Sequence, residues 1–424
     1  MKIFIHTLGC KVNQYESQAI ATLLRSRGGE IVDSAEGCDV IIVNTCAVTA
    51  EAVRKSRQEI SRFKALSPNA VTAVCGCWSQ TEPENAEKLG IDVLYGSGDK
   101  MSFVEAILAK SKTVNVDNSF ERRQFEPLPS GAVEERTRAL LKIEDGCVNF
   151  CTYCIIPYAR GRVRSLPLEA CAEEAKKLAL AGYREIVLTG IEIASYGKDL
   201  EGRPTLTDAI CAIAGAAPDC RIRLGSLEPT VVTEDFVRRL HECGNVCDHF
   251  HLSLQSGCDK TLKNMNRKYG TARFYEAVEL LRRFFPNCGI TCDLITGFPG
   301  ETESDHAETL EFIQKCAFSA MHVFPYSRRK GTPADKMDCQ IEKRVKQARA
   351  REAIAVAKRM QREFLLSQVG KTLPVLFETE ENGLWQGHTT NYLVCRAEGI
   401  NLHNSVKNVF IDSVEGDSLK GTIL

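Results

Sequence analysis

Three cysteines at C-x3-C-x2-C spacing, Cys147, Cys151 and Cys154, lie in the stretch GCVNFCTYCIIPYARGRVRS (146–165), and no fourth ligand follows nearby. A structural zinc site closes its coordination with four protein ligands. No histidine lies between Ile143 and Leu240, so this set is all thiol. Soft thiolates select iron–sulfur clusters as well as zinc. Three of them can hold three irons of a cubane and leave the fourth iron open to a cofactor or substrate. Arg160, Arg162 and Arg164 follow directly, and guanidinium groups there could pair with a carboxylate or a phosphate.

A second set is spread over the first eighty residues. Cys10 ends the run KIFIHTLGC, Cys46 ends VIIVNTC and Cys77 ends TAVCGC. Three cysteines that each follow one of three parallel strands converge at one edge of a sheet, where open α/β sheets bind ligands. Cys75 is the alternative to Cys77, since strand alternation points both the same way. The small apolar neighbours of Cys75 favour Cys77. The remaining cysteines lie mostly on apolar faces and read as small hydrophobes.

These residues need elements to hold them. Residues 1–115 alternate strand-like runs (KIFIHTL, CDVIIVNTC, NAVTAVCGC, IDVLYGS) with amphipathic helices such as AEAVRKSRQEISRFKAL, which predicts a parallel α/β sheet domain. Residues 116–138, polar and broken by prolines, predict a linker. From 139 the strands ALLKIED, EIVLTG, RIRLGS, HFHLSLQSG, GITCDLITG and AMHVFPYS alternate with helices. Six such units predict a partial (βα)6 barrel, because the closed form takes eight. Cys147, Cys151 and Cys154 follow its first strand, on the face where such barrels keep their chemistry. A long basic helix carries this domain to 367. Residues 368–424, strands joined by Gly/Asn turns, predict a small C-terminal β-barrel.

Composition bounds the class. The chain is 44% apolar and 26% charged with a formal charge of -1. No apolar run reaches the 18 or so residues of a membrane span, and MKIFIHTLGC turns polar too soon for a secretory signal. Nineteen cysteines in strand–helix alternation fit a reducing cytoplasm with some thiols on metal better than a disulfide scaffold. From Arg328 to Arg362 there are 12 Lys/Arg against 4 Asp/Glu, in a chain with 54 against 55. Such a band suits a polyanion, and equally a solvated helix face.

C-x3-C-x-aromatic-C after the first strand of a βα barrel resembles the radical S-adenosylmethionine superfamily. The resemblance implies a [4Fe-4S] cluster on Cys147, Cys151 and Cys154 whose open iron binds S-adenosylmethionine, and reductive cleavage of that cofactor to a 5′-deoxyadenosyl radical. It implies Tyr153 against the adenine, with Gly190, Glu192, Ser253, Gln255, Gly297 and Gly300 at strand ends around the rest of the cofactor. A tight βα turn would also account for each of these strand-end positions. TLGCKVNQYES, VNTCAVT, GCWSQ, HLSLQSGCDKTLKNMNRKY, DLITGFPGET and FPYSRRKGTPA extend the likeness over nearly the whole chain, to the methylthiotransferases. HLSLQSG lacks the proline usual before the Leu/Val-Gln pair, and the terminal barrel is short for the family. Membership would imply a second [4Fe-4S] cluster on Cys10, Cys46 and Cys77 and an RNA-contacting TRAM barrel at the C-terminus. One S-adenosylmethionine would methylate a sulfide on the first cluster, and a second would supply the radical that activates C2 of an adenine. MHVFPYSRRKGTPA and TGIEIASYGKD look most like the MtaB type, which acts on N6-threonylcarbamoyladenosine in tRNA. Other subgroups act on isopentenyladenosine in tRNA or on a ribosomal protein aspartate. The partners implied are a tRNA anticodon stem-loop and a reductant such as a flavodoxin or ferredoxin. The RNA would be held by the basic helix, the terminal barrel, Arg160, Arg162, Arg164, Arg328, Arg329 and Lys330. A monomer with no membrane contact is expected. A rival of another class is a non-catalytic iron–sulfur RNA-binding sensor, which has no need of an open iron beside a barrel mouth.

Overall fold

The computed structural model describes residues 1–130 and 137–424, so GAVEER, within the expected linker, lies outside the described residues. The fold class is the α/β one expected. The N-terminal unit is a parallel sheet of β1 (Lys2–Thr7), β2 (Glu30–Val32), β3 (Val40–Thr45), β4 (Val71–Gly76), β5 (Val93–Tyr95) and β6 (Thr113–Asn115) in the order β2-β1-β3-β4-β5-β6. Its helices are α1 (Lys11–Arg25), α2 (Ala50–Leu66), α3 (Cys77–Thr81), α4 (Pro83–Glu87) and α5 (Lys100–Leu108). Layers cover both faces, so the central strands read as unbroken apolar runs. Ile41, Val43 and Val74 pack with Ile60 and Phe63 on one side. Ile3, Ile42 and Ala73 pack with Ile20, Leu24 and Phe103 on the other.

The central unit is a partial barrel of parallel strands. It runs β7 (Arg138–Lys142), β10 (Glu185–Thr189), β11 (Arg221–Arg223), with β12 (Ser226–Leu227) extending β11, then β13 (His249–Gln255), β14 (Gly289–Thr296) and β15 (Ala320–Pro325). A parallel bridge from Ile222 to Val246 joins its two sheets. Between β7 and β10, β8 (Glu144–Asp145) and β9 (Arg164–Ser165) pair antiparallel. The helices are α6 (Ile156–Arg160), α7 (Leu168–Leu180), α8 (Leu206–Ala216), α9 (Glu234–Glu242), α10 (Asp259–Asn264), α11 (Thr271–Phe284), α12 (Glu303–Cys316) and α13 (Lys343–Leu366). Leu141, Ile186, Leu188, Phe250, Leu252 and Ile290 face these helices in one large core. Alternation therefore turns Leu140, Val187, His249 and His251 into the lumen.

The described part of the expected linker is a fitted strap. Ser119 Oγ donates to the Tyr158 carbonyl (2.9 Å) and Tyr15 OH to that of Leu128 (2.8 Å). Arg122 bridges Gln80, Ser97 and Asp117. Its hydrogen bonds reach both flanking units, which a composition-based reading cannot register.

After α13, strands β16 (Thr372–Glu381), β17 (Leu384–Thr389), β18 (Val394–Glu398), β19 (Val406–Glu415) and β20 (Ser418–Ile423) close a barrel in the order β16-β17-β18-β20-β19. Val375, Phe377, Cys395, Val409 and Ile411 fill it, and closure leaves no free strand edge. Its β17–β18 turn enters the floor of the central unit. Arg223 donates to the carbonyls of Thr390 (3.0 Å) and Thr389 (3.3 Å), and Arg221 to that of His388 (3.1 Å).

Candidate functional site

Cys10, Cys46 and Cys77 leave the carboxyl ends of β1, β3 and β4, which are hydrogen-bonded neighbours. Gly9 (φ +106°) lets the first loop close on the second, since a Cβ on it would lie 3.1 Å from Cys46 Sγ. Gly76 (φ +109°) does the same for the third, because a Cβ there would meet the Thr45 carbonyl oxygen at 2.5 Å. Cys75 is fully buried among Ile3, Ile42 and Val93 in the opposite layer, away from Cys77, which packs in the α2-side layer. Burial pushes the Cys77 thiol up to about 12, with Cys10 and Cys46 adding to the effect against Arg160.

Cys147, Cys151 and Cys154 occupy the loop that follows β8. Gly146 (φ +98°) brings it against the backbone of Arg162, and Cys147 N–H donates to the Gly161 carbonyl (3.0 Å). Arg267 donates to Cys151 Sγ (3.1 Å), pairs with Glu228 (2.8 Å) and lies over the Tyr269 ring. Asn149, inside the cysteine loop, donates to Glu192 (3.2 Å) and Glu228 (3.3 Å). Burial, reinforced by Glu228, raises the Glu192 carboxyl to about 7. The Cys154 thiol is pushed up to about 12 by burial, then by Cys151, and Cys77 of the other trio also acts on it. Ile155, next to Cys154, packs in the same buried cluster as Cys77, so the loop of the second trio meets the first at the seam between the units.

That seam holds a buried charge network. Arg160, wholly buried, donates to Glu16, to Asn13 Oδ1 (2.7 Å) and to Cys77 Sγ (3.4 Å). Lys142 lies 3.4 Å from both Glu16 and Asp145, Arg164 lies 3.3 Å from Asp145 and Lys100 lies 4.0 Å from Glu16. Burial works against the Glu16 charge, but Arg160, Lys100 and Lys142 outweigh it and hold the carboxyl below its usual range. Burial pushes the Glu144 carboxyl well up. In these pairs four cations share two carboxylates, Glu16 and Asp145. An unbalanced buried ion costs several kcal/mol, roughly, and anionic thiolate-bound groups in the two trios would offset the surplus. Among the described residues neither trio gathers its sulfurs within 4.8 Å of one another, as one shared ion would require. Soft donors, wide spacing and buried positive charge together fit iron–sulfur clusters.

Other expected residues divide. Gly190 and Glu192 follow β10, Ser253 and Gln255 end β13, and Gly297 and Gly300 follow β14. All lie on the rim that carries the Cys147 loop. Tyr153 is half-buried and packs with Met265, Phe298 and Tyr326. Arg160, at the end of α6, and Arg164, on β9, expected as substrate groups, are buried and have carboxylates and carbonyls of this chain as partners. Arg329 is also buried and reaches Glu82 (3.3 Å). Arg162, Arg328 and Lys330 are exposed, Arg328 pairing with Asp335 (2.5 Å). Sequence reasoning missed Glu16, Lys100, Lys142, Asp145, Arg267 and Glu228. Glu16 and Arg267 fall in stretches already singled out, TLGCKVNQYES and NMNRKY, but nothing local marks their partners.

A cavity of about 600 Å³ opens where the three units meet. Lys11 and Gln14 of α1, Arg138, Leu140, Val187 and Arg223 of the central lumen, and Glu378, His388 and Tyr392 of the terminal barrel line it. Tyr392 (φ +70°) stacks on His249 (4.7 Å) and His388 (5.1 Å) under the Arg223 guanidinium (4.6 Å).

Residues 141–313 match the radical SAM superfamily, and residues 2–96 match an uncharacterized protein family, UPF0004. The threonylcarbamoyladenosine tRNA methylthiotransferase MtaB of Bacillus subtilis is 38% identical over 404 residues, 92% of this chain and 89% of that one. The tRNA-2-methylthio-N(6)-dimethylallyladenosine synthase of Alkaliphilus oremlandii is 34% identical over 441 residues, 100% of this chain and 93% of that one. Among solved structures, the radical S-adenosylmethionine methyltransferase TsrM from Kitasatospora setae shares the fold. Its TM-score is 0.58 at 16% identity, covering 85% of this chain and 89% of that one.

Proposed function

The chain belongs to the radical S-adenosylmethionine tRNA methylthiotransferases, and we propose that its own reaction places a methylthio group on C2 of N6-threonylcarbamoyladenosine in the anticodon stem-loop of tRNA. The observation that supports this reading is the pair of cysteine trios, one per unit, that meet at a seam of buried arginines and lysines. The 38% identity with the Bacillus subtilis MtaB supports the threonylcarbamoyl substrate.

Cys10, Cys46 and Cys77 would hold one [4Fe-4S] cluster and Cys147, Cys151 and Cys154 the other. When bound, the clusters and S-adenosylmethionine supply the sulfur, the methyl group and the radical. The chain's own groups hold and orient. Arg267 ties the Cys151 sulfur to Glu228, and Asn149 ties the cysteine loop to Glu192 and Glu228. We assign Tyr153, Gly190, Glu192, Ser253, Gln255, Gly297 and Gly300 to S-adenosylmethionine, and Arg162, Arg328, Lys330 and the exposed basic face of α13 to RNA phosphates. The target base leaves its stack to enter between the trios, as loop bases read by proteins commonly do. A flavodoxin or ferredoxin would deliver electrons, and the enzyme would act as a cytoplasmic monomer. No helix among the described residues is long and apolar enough to cross a membrane.

Nucleoside mass spectrometry of tRNA from cells with and without the gene tests the assignment. Loss of 2-methylthio-N6-threonylcarbamoyladenosine alone is expected. Loss of the dimethylallyl product instead would transfer the chain to the other subgroup, and unchanged tRNA would overturn the reading.

A further inference from the structure

The cavity where the three units meet is lined by three cations, Lys11, Arg138 and Arg223, and one carboxylate, Glu378. Arg223 is held by Glu185 (2.7 and 2.9 Å) and by backbone carbonyls. Arg138 is held by Glu378 (2.7 Å), which His388 also contacts. Lys11 has no such partner among the described residues, and its side chain is exposed. The remaining lining includes the apolar surface of Leu140 and Val187 and the amides of Gln14 and Gln386, while the Tyr392 ring is taken up by His249 and His388. A ligand matched to these walls carries negative charge and hydrogen-bonding groups. An uncharged branched alkyl group would leave the ammonium unpaired beside it, and sites built for a charged group reject analogues that lack it.

We infer that this cavity is a specificity subsite in which Lys11 receives the carboxylate of the N6 substituent of the substrate adenosine, with Gln14 and Arg138 beside it. The inference rests on the reaction proposed above. It adds how a methylthiotransferase chain selects a carboxylate-bearing base over one with a hydrocarbon substituent. Lys11 directly follows Cys10, so the start of α1 belongs both to the cavity wall and to the loop of the N-terminal trio. Lys11 is a specificity-determining residue, with no part assigned in the chemistry itself.

The test uses the full-length protein loaded with both clusters and two anticodon stem-loop RNAs. One bears N6-threonylcarbamoyladenosine; the other bears the same group with its carboxylate converted to the primary amide. Methylthiolated nucleoside is followed by mass spectrometry, and iron content is checked for each variant. Wild type should favour the acid over the amide in kcat/KM by roughly 10- to 100-fold, the range for one charge-assisted contact. Lys11→Met should bring the ratio to within about threefold, by losing rate on the acid, and Lys11→Arg should restore the preference. Equal wild-type rates on both RNAs, or an unaltered preference in Lys11→Met, overturns the subsite while leaving the reaction standing. No product from wild type on either RNA, with product on a dimethylallyl RNA, overturns the proposed substrate and the subsite with it.

Discussion

Replacing Glu185 with glutamine tests how the terminal barrel is fastened to the central unit. Glu185 is fully buried and accepts from Arg221 (2.5 and 3.0 Å) and Arg223 (2.7 and 2.9 Å). Burial alone would raise its carboxyl, but Arg223 and then Arg221 outweigh it and bring it to about 2 from an ordinary 4.5. A downward displacement of that size corresponds to about 3 kcal/mol at 1.36 kcal/mol per unit. The folded-state value is the lower one. The contribution is therefore complete above about 4.5, the unfolded value, and disappears as pH falls toward about 2. At pH 7, Glu185→Gln leaves two buried guanidinium groups short of a counter-charge, and the cost of breaking such a pair is about 3–5 kcal/mol. Urea unfolding by far-UV circular dichroism at pH 7 should show a loss of about 3 kcal/mol. The difference between the two proteins should narrow as pH drops through the 4-to-2 window, roughly. An unchanged midpoint at pH 7 would refute the reasoning, as would a difference that is constant with pH.

The two trios should separate genetically. Cys147→Ala is expected to abolish both 5′-deoxyadenosine release and methylthio transfer, whereas Cys77→Ala should keep the release and lose the transfer. Transfer that survives Cys77→Ala but not Cys75→Ala would show the wrong thiol was chosen. Gly76→Ala should destabilise by about 1–3 kcal/mol and lower iron per chain, because its methyl group would meet backbone and the Asn44 amide oxygen within 2.6 Å. Full iron loading of that variant would contradict the tight fit. For Arg162→Gln and Lys330→Gln, filter binding across a salt series should show the slope of log K against log salt falling by roughly 0.7–0.9 per residue. An unaltered slope would remove the residue from the RNA face.

The parts legible in the sequence are those whose signal is local. The short spacing of Cys147, Cys151 and Cys154 is itself the geometry of a loop. Cys10, Cys46 and Cys77 each follow an apolar run that can only be a strand, and parallel neighbours bring such ends together. The partnerships at the seam were not legible. Glu16 and Arg160 lie 144 positions apart, and on α1 a glutamate between Tyr15 and Ser17 looks like any solvated polar residue. The arginines after Cys154 suggest an anion, and for Arg160 and Arg164 the anions are carboxylates of this chain, Glu16 and Asp145. Tyr392 escaped notice for a similar reason, since nothing in TTNYLVC indicates that the ring is destined for another unit.

The Tyr392 turn has a mechanical consequence. A ring gripped between two imidazoles, with three neighbouring carbonyls pinned by buried arginines, is a rivet rather than a hinge. RNA held by the terminal barrel, as the family resemblance implies, would therefore sit at a set reach from the central lumen.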